Sequence, residues 1–174
     1  MILPLIFTII FIIVIGSMIR AGFLGAPWVP TFKKTTLASI TLAKIKPGEI
    51  VYDLGCGDGR WLKRAASLSQ ARQLIGYEIS ILPYWLAKLN FFISSNRSRL
   101  RVLCKNYFFE DLKDADVIYC FGLPEVMNKL EPKLEKELKP GARLVSYAFK
   151  LPHKEPAQVL RLSNHSQPIY LYQY

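Results

Sequence analysis

The segment DLGCGDGR, residues 53–60, places glycine at every second position from Gly55 to Gly59. Apolar residues 50–54 lead into it as a predicted strand, and residues 60–68 leave it as a predicted helix. Glycines let the backbone bend sharply and let a ligand approach main-chain N–H groups at a helix start. The segment therefore predicts a strand, a turn and a helix with a ligand site at the turn.

The rest of the chain alternates strands and helices, which favours a parallel sheet covered on both faces. Helices are expected at residues 60–68, 81–93 and 124–138, and Pro132 is expected to kink or split the last one. The final two strands have no helix between them and predict an antiparallel hairpin at the sheet edge. The predicted strands are residues 50–54, 73–78, 99–104, 115–121, 142–148, 157–162 and 169–172.

A carboxylate ends the second strand and constrains the ligand. Glu78 stands 23 residues after Gly55, where it can accept both ribose hydroxyls of a nucleoside. A dinucleotide fingerprint would have a sixth-position glycine where this chain has Arg60. Asp53 and Asp58 would repel a pyrophosphate but attract a cationic centre, which favours S-adenosylmethionine. A dinucleotide, or a glycine turn without ligand, is the alternative.

These residues resemble the class I S-adenosylmethionine-dependent methyltransferases, through VYDLGCGDGR (residues 51–60) and GYE (residues 76–78). A narrower resemblance, from residue 25 to about 156, is to the membrane-anchored ATP synthase c-subunit lysine methyltransferase family and its prokaryotic relatives. It rests on GAPWVPT (residues 25–31), NYFF (106–109), DADVIY (114–119), LPEV (123–126) and SYAF (146–149).

The resemblance implies an α/β fold, the Rossmann-like class I methyltransferase sandwich, with a mostly parallel seven-stranded sheet and a C-terminal antiparallel hairpin. It also implies S-adenosylmethionine as cofactor. The implied cofactor residues are Asp53, Gly55, Gly57 and Gly59 for the methionine part, Glu78 for the ribose and Asn106 for the adenine edge. For Asn106 the alternative is a loop-capping amide.

The methyl acceptor is expected at the exit of the fourth strand, at Phe121, Leu123 and Pro124. A lysine must lose its proton before attack, which an apolar aromatic pocket promotes. Candidate walls are Tyr119, Phe121 and Trp28, with core packing as the alternative. By the resemblance, Val29, Pro30 and Thr31 fold over cofactor and substrate; the alternative is a stiff linker. No catalytic base is assigned.

One segment departs from the family. After the fifth strand the family commonly shows Ser-His-Asp-Phe, whereas this chain has Tyr147 and Ala148 at the two middle positions. Two ionisable side chains are thereby replaced, and their effect on activity or substrate choice is open.

The charged residues, cysteines and histidines indicate which partners, compartment and metal chemistry to expect. With 23 Lys+Arg against 13 Asp+Glu, the net charge is +10. Arg97, Arg99, Arg101 and Lys105 predict a solvated face of an edge strand; attraction to anionic lipid or to nucleic acid are the alternatives. Three unpaired cysteines favour a reducing compartment. Neither His153 nor His165 lies near other metal ligands, so no metal is expected.

Residues 1–19 contain no ionisable side chain, and as a helix would measure about 28 Å at roughly 1.5 Å per residue. They predict one transmembrane anchor, followed by a connector (20–36) and the methyltransferase domain (37–174). Positive charges on the C-terminal side, beginning at Arg20, put the N-terminus outside and the catalytic domain in the cytoplasm. A signal peptide, a buried helix or an organelle location is the alternative.

The sequence thus predicts a membrane-anchored methyltransferase that acts on an amine, and the family resemblance implies a lysine of a membrane-associated protein as the acceptor. Nucleic acid is not the expected partner. The alternatives are a tethered RNA or small-molecule methyltransferase, or a non-enzymatic membrane module that keeps the fold.

Overall fold

The computed structural model describes residues 4, 6, 8, 11, 15, 16, 29 and 31–174. The predicted anchor, residues 1–19, therefore lies largely outside the described residues, and the six of its residues that are described are helical and exposed. Across the described ranges, no helix combines the length and apolar content that a membrane crossing requires.

The residues from 31 onward form one seven-stranded sheet in the order β3-β2-β1-β4-β5-β7-β6. The first five strands are parallel, and β7 runs antiparallel to both β5 and β6. This confirms the predicted sheet and hairpin. The strands are β1 Ile50–Leu54, β2 Gln73–Tyr77, β3 Leu100–Leu103, β4 Val117–Cys120, β5 Arg143–Tyr147, β6 Gln158–Leu160 and β7 Ile169–Gln173.

Helices cover both sides of the sheet. One side carries α1, α2 and α3, and the other carries α4. Because β1 and β4 are covered on both sides, every one of their residues is buried, as parallel strands require. The helices are α1 Lys33–Ala43, α2 Arg60–Leu68, α3 Ile81–Phe92 and α4 Pro124–Glu137, with short 3-10 helices at Arg97–Arg99 and Tyr107–Phe109.

Helix α1 was not expected from the sequence, and it takes up the last four residues of the predicted connector. Its sequence KKTTLASITLA is rich in β-branched residues, which are modest helix formers. Tertiary packing stabilises it instead, because Ile40, Leu42 and Ala43 are buried in the core that α1 shares with α2.

Helix α4 continues through Pro132, so the expected split at that residue is wrong, while the alternative, a kink, stays a prediction. A proline lacks the N–H that would bond the carbonyl of Asn128 one turn earlier. Both residues are exposed, and water can satisfy that carbonyl. The helix therefore tolerates the proline on its solvent side.

The edge position of β3 is confirmed, but its basic residues do not form one solvated face. Arg99 lies in a 3-10 helix before the strand, and its guanidinium is half-buried. It donates to the carbonyls of Ala66, Ser69 and Ala71 at 2.7–3.0 Å. Arg99 therefore ties the end of α2 to the start of β2. Arg101 is exposed, as predicted.

Candidate active site

The residues predicted to bind the methionine part and the ribose of the cofactor lie where the sheet order reverses. Strands β2 and β4 flank β1, and Asp53 is in register with Gly76 on one side and Tyr119 on the other. Parallel strands end at the same edge, and the reversal of strand order opens a crevice there. The glycine turn and Glu78 lie at this edge, directly after β1 and β2.

The glycine turn is tied to the end of β2. The N–H groups of Gly55 and Cys56 both donate to the carbonyl of Tyr77, at 2.9 and 3.0 Å. Gly55, Gly57 and Gly59 all have positive φ. A Cβ at Gly55 would meet nothing within 4 Å, so the turn faces open space. A Cβ at Gly59 would collide with the Phe91 ring, which explains the glycine where α2 meets α3.

The Glu78 carboxylate braces the same turn. Its Oε2 accepts the N–H of Gly57 at 2.9 Å, and its Oε1 accepts the N–H of Ser80 at 2.7 Å. Each carboxylate oxygen has a second lone pair, and the group only accepts hydrogen bonds when ionised. Glu78 is therefore pre-oriented to receive hydroxyl donors such as those of a ribose.

Asp53 is an almost fully buried carboxyl group, 2% exposed, on β1. Burial raises its pKa well above the usual range, and the negative charges of Glu78 and Asp58 raise it further. A cationic ligand next to Asp53 would reverse this effect, because it favours the charged form of the acid. The position therefore suits a positively charged ligand group.

Asp58, in contrast, is already paired. The guanidinium of Arg60 holds it through three contacts of 2.7–3.0 Å. The attraction for a cation, which the sequence assigned to both aspartates, thus falls mainly on Asp53. Asn90 fixes the turn from α3 by donating its amide to the carbonyl of Asp58 at 2.9 Å.

Asn106 follows β3 at the same edge of the sheet. Its Oδ1 accepts the N–H of Phe108 at 3.0 Å and caps the 3-10 helix Tyr107–Phe109. The capping role is therefore present in the structure. Binding of the adenine edge stays a prediction: Oδ1 has a second lone pair, which could accept the adenine amino group.

Two stacked aromatic rings, called here the aromatic wall, lie beside Asp53. Both rings are almost fully buried in the core, so the core-packing alternative is present, and contact with a methyl acceptor stays a prediction. The rings of Tyr119 and Trp61 stack with centroids 4.4 Å apart and planes 8° from parallel. Trp61 donates its indole N–H to Ser39 at 2.8 Å, and the hydroxyl oxygens of Tyr119 and Thr31 lie 3.5 Å apart. Burial raises the pKa of Tyr119, so the phenol stays neutral. Sequence analysis missed Trp61, since only the packing of α2 on β4 brings it there.

The other predicted pocket residues are placed less uniformly. Phe121 is half-buried, with its ring centroid 4.7 Å from that of Tyr147. Leu123 is the residue that precedes α4, and Pro124 is the exposed first residue of that helix. Trp28 and Pro30 lie outside the described residues. Thr31 is the described residue of that stretch that contacts the aromatic wall.

The segment that departs from the family adopts an unusual backbone. Ala148 has φ +71°, a left-handed conformation that aspartate and asparagine tolerate better than alanine. Its N–H donates to the carbonyl of Pro168 at 2.9 Å, and Ser146 Oγ donates to the carbonyl of Phe149 at 2.6 Å. These bonds hold the turn in place without the family's acidic residue.

Neither buried thiol near the crevice is suited to nucleophilic chemistry. Cys120 is fully buried, as expected for a core residue, and burial raises its pKa to about 12. The pKa of Cys56 is raised as well, first by burial and then by Asp53 and Glu78. Within the described residues, no group of three or more His, Cys, Asp or Glu side chains is arranged to hold a metal ion.

Comparison with known families gives one match that covers most of the domain. The family model described as the ANTKMT methyltransferase domain matches residues 53–158. The match begins at Asp53 on β1 and ends on β6, so it includes the glycine turn, Glu78 and the aromatic residue Tyr119.

Three curated relatives carry lysine methyltransferase names. A protein-lysine N-methyltransferase of Saccharolobus islandicus is 37% identical over 84% of this chain and 92% of its own length. The mouse adenine nucleotide translocase lysine N-methyltransferase is 33% identical over 79% of this chain. The human ATP synthase c-subunit lysine N-methyltransferase is 27% identical over 76%. The chain spans 59% and 56% of these two mammalian proteins.

Among solved structures, an RNA methyltransferase from Salinibacter ruber in complex with S-adenosyl-L-homocysteine has a TM-score of 0.79 and 30% identity. The match covers 83% of this chain and 93% of that one. A methyltransferase from Thiobacillus denitrificans, in complex with the same compound, has a TM-score of 0.61 and 20% identity over 73% of this chain and 54% of its own, and shares the fold.

Proposed function

This chain belongs to the ANTKMT methyltransferase domain family, and from that premise we propose that it methylates the side-chain amine of a lysine in a membrane-associated protein. It is an S-adenosylmethionine-dependent methyltransferase. The acceptor lysine, its membrane setting and the roles of single residues are the proposed part.

The observation that carries the proposal is the pairing of Asp53 with Tyr119 across neighbouring strands. The two residues are in register, so their side chains leave the sheet on the same face. Asp53 provides a buried acid for a cationic group, and Tyr119 with Trp61 provides an apolar wall beside it. The cofactor loop and the acceptor pocket would therefore meet at Asp53 and Tyr119.

The residues present fit the cofactor. S-adenosylmethionine supplies an electrophilic methyl group on a sulfonium, together with an adenosine. Glu78 has acceptor capacity for the ribose hydroxyls, and the open space in front of Gly55 admits a ligand to the backbone. Asp53 suits the positively charged methionyl part. The protein contributes mainly orientation and the exclusion of water.

An apolar aromatic pocket also favours the lysine form that can react. The neutral amine has a free lone pair, and burial beside Tyr119 penalises the charged ammonium. We assign no protein base, since water at the pocket mouth can take the proton. The raised pKa values of Cys56 and Cys120 argue against a thiolate nucleophile, which cytosine C5 methylation would need.

The same proposal includes the N-terminal anchor and its orientation. Residues 1–19 lack ionisable side chains, and positive charges follow at Arg20, Lys33 and Lys34. Such a pattern favours a single-pass segment with the N-terminus outside and the catalytic domain in the cytoplasm. Confinement near the bilayer would raise the effective concentration of membrane substrates.

The acceptor is tested by methyl transfer from radiolabelled S-adenosylmethionine, with the full chain added to stripped membranes. We expect label in protein, removed by protease and resistant to nuclease, and mass spectrometry should place it on lysine. Glu78→Ala is the matched inactive variant. Nuclease-sensitive label, or label extracted at low mass, would contradict the proposed acceptor.

The anchor is tested separately by alkaline carbonate extraction of membranes that contain the full chain. We expect the protein to stay in the membrane pellet, and a membrane-impermeant thiol reagent to reach the exposed Cys104 only from the cytoplasmic side. Release by carbonate, or labelling from the opposite side, would contradict the anchor or its orientation.

A further inference from the structure

Helix α3 carries an apolar stripe that no described part of the protein covers. Its residues recur at helical spacing along one side, while Ala87 and Phe91 on the other side are buried. Trp85 is 58% exposed, Phe92 69% and Ile93, which follows the helix, 64%. The stripe consists of Leu82, Trp85, Leu89, Phe92 and Ile93.

A basic groove lies beside this stripe. It runs between α1 and α3 over the exposed side of α2 and has a volume of about 1180 Å³. Its one acidic residue, Asp58, is paired with Arg60, and no ion pair to Lys63 or Arg64 is present among the described residues. The basic residues of the groove are Lys33, Lys34, Arg60, Lys63 and Arg64.

The stripe and the groove are continuous. Ile93 ends the stripe and also lines the groove, as do two further exposed side chains, Phe32 and Leu37 of the α1 region. Lys88 flanks the stripe, with its ammonium 4.9 Å from the centre of the Trp85 ring. One surface of the domain thus combines projecting apolar side chains with cations that, apart from Arg60, have no ion-pair partner among the described residues.

We propose that this surface, the α1–α3 side of the domain, rests on a bilayer that contains anionic lipid. The apolar stripe enters the boundary between headgroups and acyl chains, as interfacial helices do, and the groove receives the anionic headgroups. Amphipathic Trp85 and Lys88 sit at the depth where tryptophan and lysine are favoured in membrane proteins. The proposal rests on the proposed function only for the presence of a membrane.

Two observations favour a bilayer over a nucleic acid as the occupant. A phosphate backbone would match the cations of the groove, but would leave the aliphatic and aromatic side chains of the stripe in water. In addition, the chain enters α1 through Thr31 and Phe32, which line the groove. The continuous part of the chain that the structure describes therefore begins on this same side, at Thr31.

The arrangement has a consequence for the acceptor. Thr31, Asp58 and Arg60 line the groove, and they also border the aromatic wall and the glycine turn of the candidate active site. Seating this surface on a bilayer would bring the mouth of the active site to the level of the headgroups. A lysine near the membrane surface of its protein would then be the accessible target.

The test reconstitutes the full chain into vesicles of dibrominated phosphatidylcholine, with and without phosphatidylglycerol, and follows tryptophan fluorescence. Subtracting the signal of Trp85→Phe isolates Trp85 from the other tryptophans. We expect bromine to lower the Trp85 emission about twofold or more, and phosphatidylglycerol to deepen the effect. Unquenched Trp85 in a protein that stays with the vesicles would overturn the proposal.

A charge-reversal pair separates the groove from the overall charge. Lys63→Glu with Arg64→Glu should abolish the phosphatidylglycerol effect. Lys129→Glu with Lys136→Glu, at exposed positions of α4 on the opposite side of the sheet, changes the net charge equally and should leave it intact. Circular dichroism checks that both variants fold. An equal loss in both pairs would contradict a specific lipid-facing groove.

Two further outcomes distinguish the lipid-facing surface from the N-terminal anchor and from an RNA-binding surface. If carbonate releases the protein but added vesicles still quench Trp85, the anchor fails and the lipid-facing surface stands. If a fluorescently labelled 20-nucleotide RNA binds the wild type at physiological salt, is lost in the Lys63 and Arg64 variant, and Trp85 is not quenched, the surface serves nucleic acid and the proposal is wrong.

Discussion

Trp61 and Tyr119, from α2 and β4, stack face to face with ring centroids 4.4 Å apart. We expect Tyr119→Phe to keep the stack and to reduce the free energy of unfolding by less than about 1 kcal/mol. Tyr119→Ala leaves a cavity and should cost about 3–5 kcal/mol. Urea unfolding measures both.

The same two variants show whether methyl transfer depends on the ring of Tyr119 or on its hydroxyl group. Methyl transfer should survive Tyr119→Phe and fall strongly in Tyr119→Ala at a temperature where both are folded. If Phe and Ala are equally damaging, the contact of the Tyr119 hydroxyl with Thr31 matters and the aromatic wall does not.

Glu78 and Asp53 are predicted to bind the cofactor. Glu78→Ala and Asp53→Ala should each weaken S-adenosylmethionine binding at least tenfold, about 1.4 kcal/mol, because each removes a buried carboxylate from the ligand side of the crevice. Calorimetric titration of the full chain in detergent gives the affinities, with NAD as the competing ligand that should not bind. Unchanged affinity in both variants would remove these residues from the site.

Cofactor binding should release a proton from Asp53. Burial, with Glu78 and Asp58 nearby, raises the pKa of the free protein's Asp53, and a cationic ligand lowers it again. Affinity should therefore rise with pH from about pH 4, the ordinary aspartate range, toward neutrality. Titration in two buffers of different ionisation enthalpy measures the release, which Asp53→Asn should remove and Asp58→Asn should not.

The effect of Asp53 on stability changes with pH in the opposite direction to its effect on cofactor affinity. A carboxyl group whose folded pKa is raised stabilises the fold at low pH, and this contribution is lost as pH rises through the folded pKa. Asp53→Asn should thus make the cofactor-free protein at least as stable as the wild type at neutral pH. A less stable variant would mean that ionised Asp53 has a partner in the fold.

Glu131 should stabilise the protein in neutral but not in acidic solution. This buried carboxylate accepts the N–H groups of His153 and Lys154 and contacts His153 Nδ1 at 2.8 Å. Burial raises its pKa, but these hydrogen bonds outweigh burial and the net shift is downward. Its contribution is therefore present above about pH 4.3 and is lost as pH falls through the folded pKa.

Glu131→Gln should accordingly cost about 1–3 kcal/mol at pH 7, where the wild-type group is charged. The difference in urea midpoints between variant and wild type should shrink as the pH is lowered below the folded pKa. A difference that stays constant across this range would mean that the charge of Glu131 does not stabilise the contact between α4 and the segment around His153.

The sheet was predictable because its strands are short apolar runs bounded by glycine and polar residues. Each of the seven predicted strands overlaps an observed one, and no end differs by more than two residues. Helix α1 was not predictable, since its threonines favour other conformations and only burial against the sheet stabilises it. Continuity of α4 through Pro132 also depends on which side of the helix faces water.

The site divides in the same way. The glycine turn and Glu78 follow from local spacing, because one strand, one turn and one helix place them. Pairing of Asp58 with Arg60, stacking of Trp61 on Tyr119 and capping by Asn106 depend on side-chain directions that spacing does not specify. These contacts decide which charges and rings remain available to a ligand.

Arg99 shows how little a net charge says about what a partner meets. Its guanidinium donates hydrogen bonds to three carbonyls inside the domain. Arg143 likewise donates to the Ala43 carbonyl and forms an ion pair with Glu49. These two cations stabilise contacts between elements of the domain and are not free to bind a partner. The salt sensitivity of any association should therefore follow the outward-facing lysines and arginines rather than the formal total, because exposed charges are the ones that ions screen.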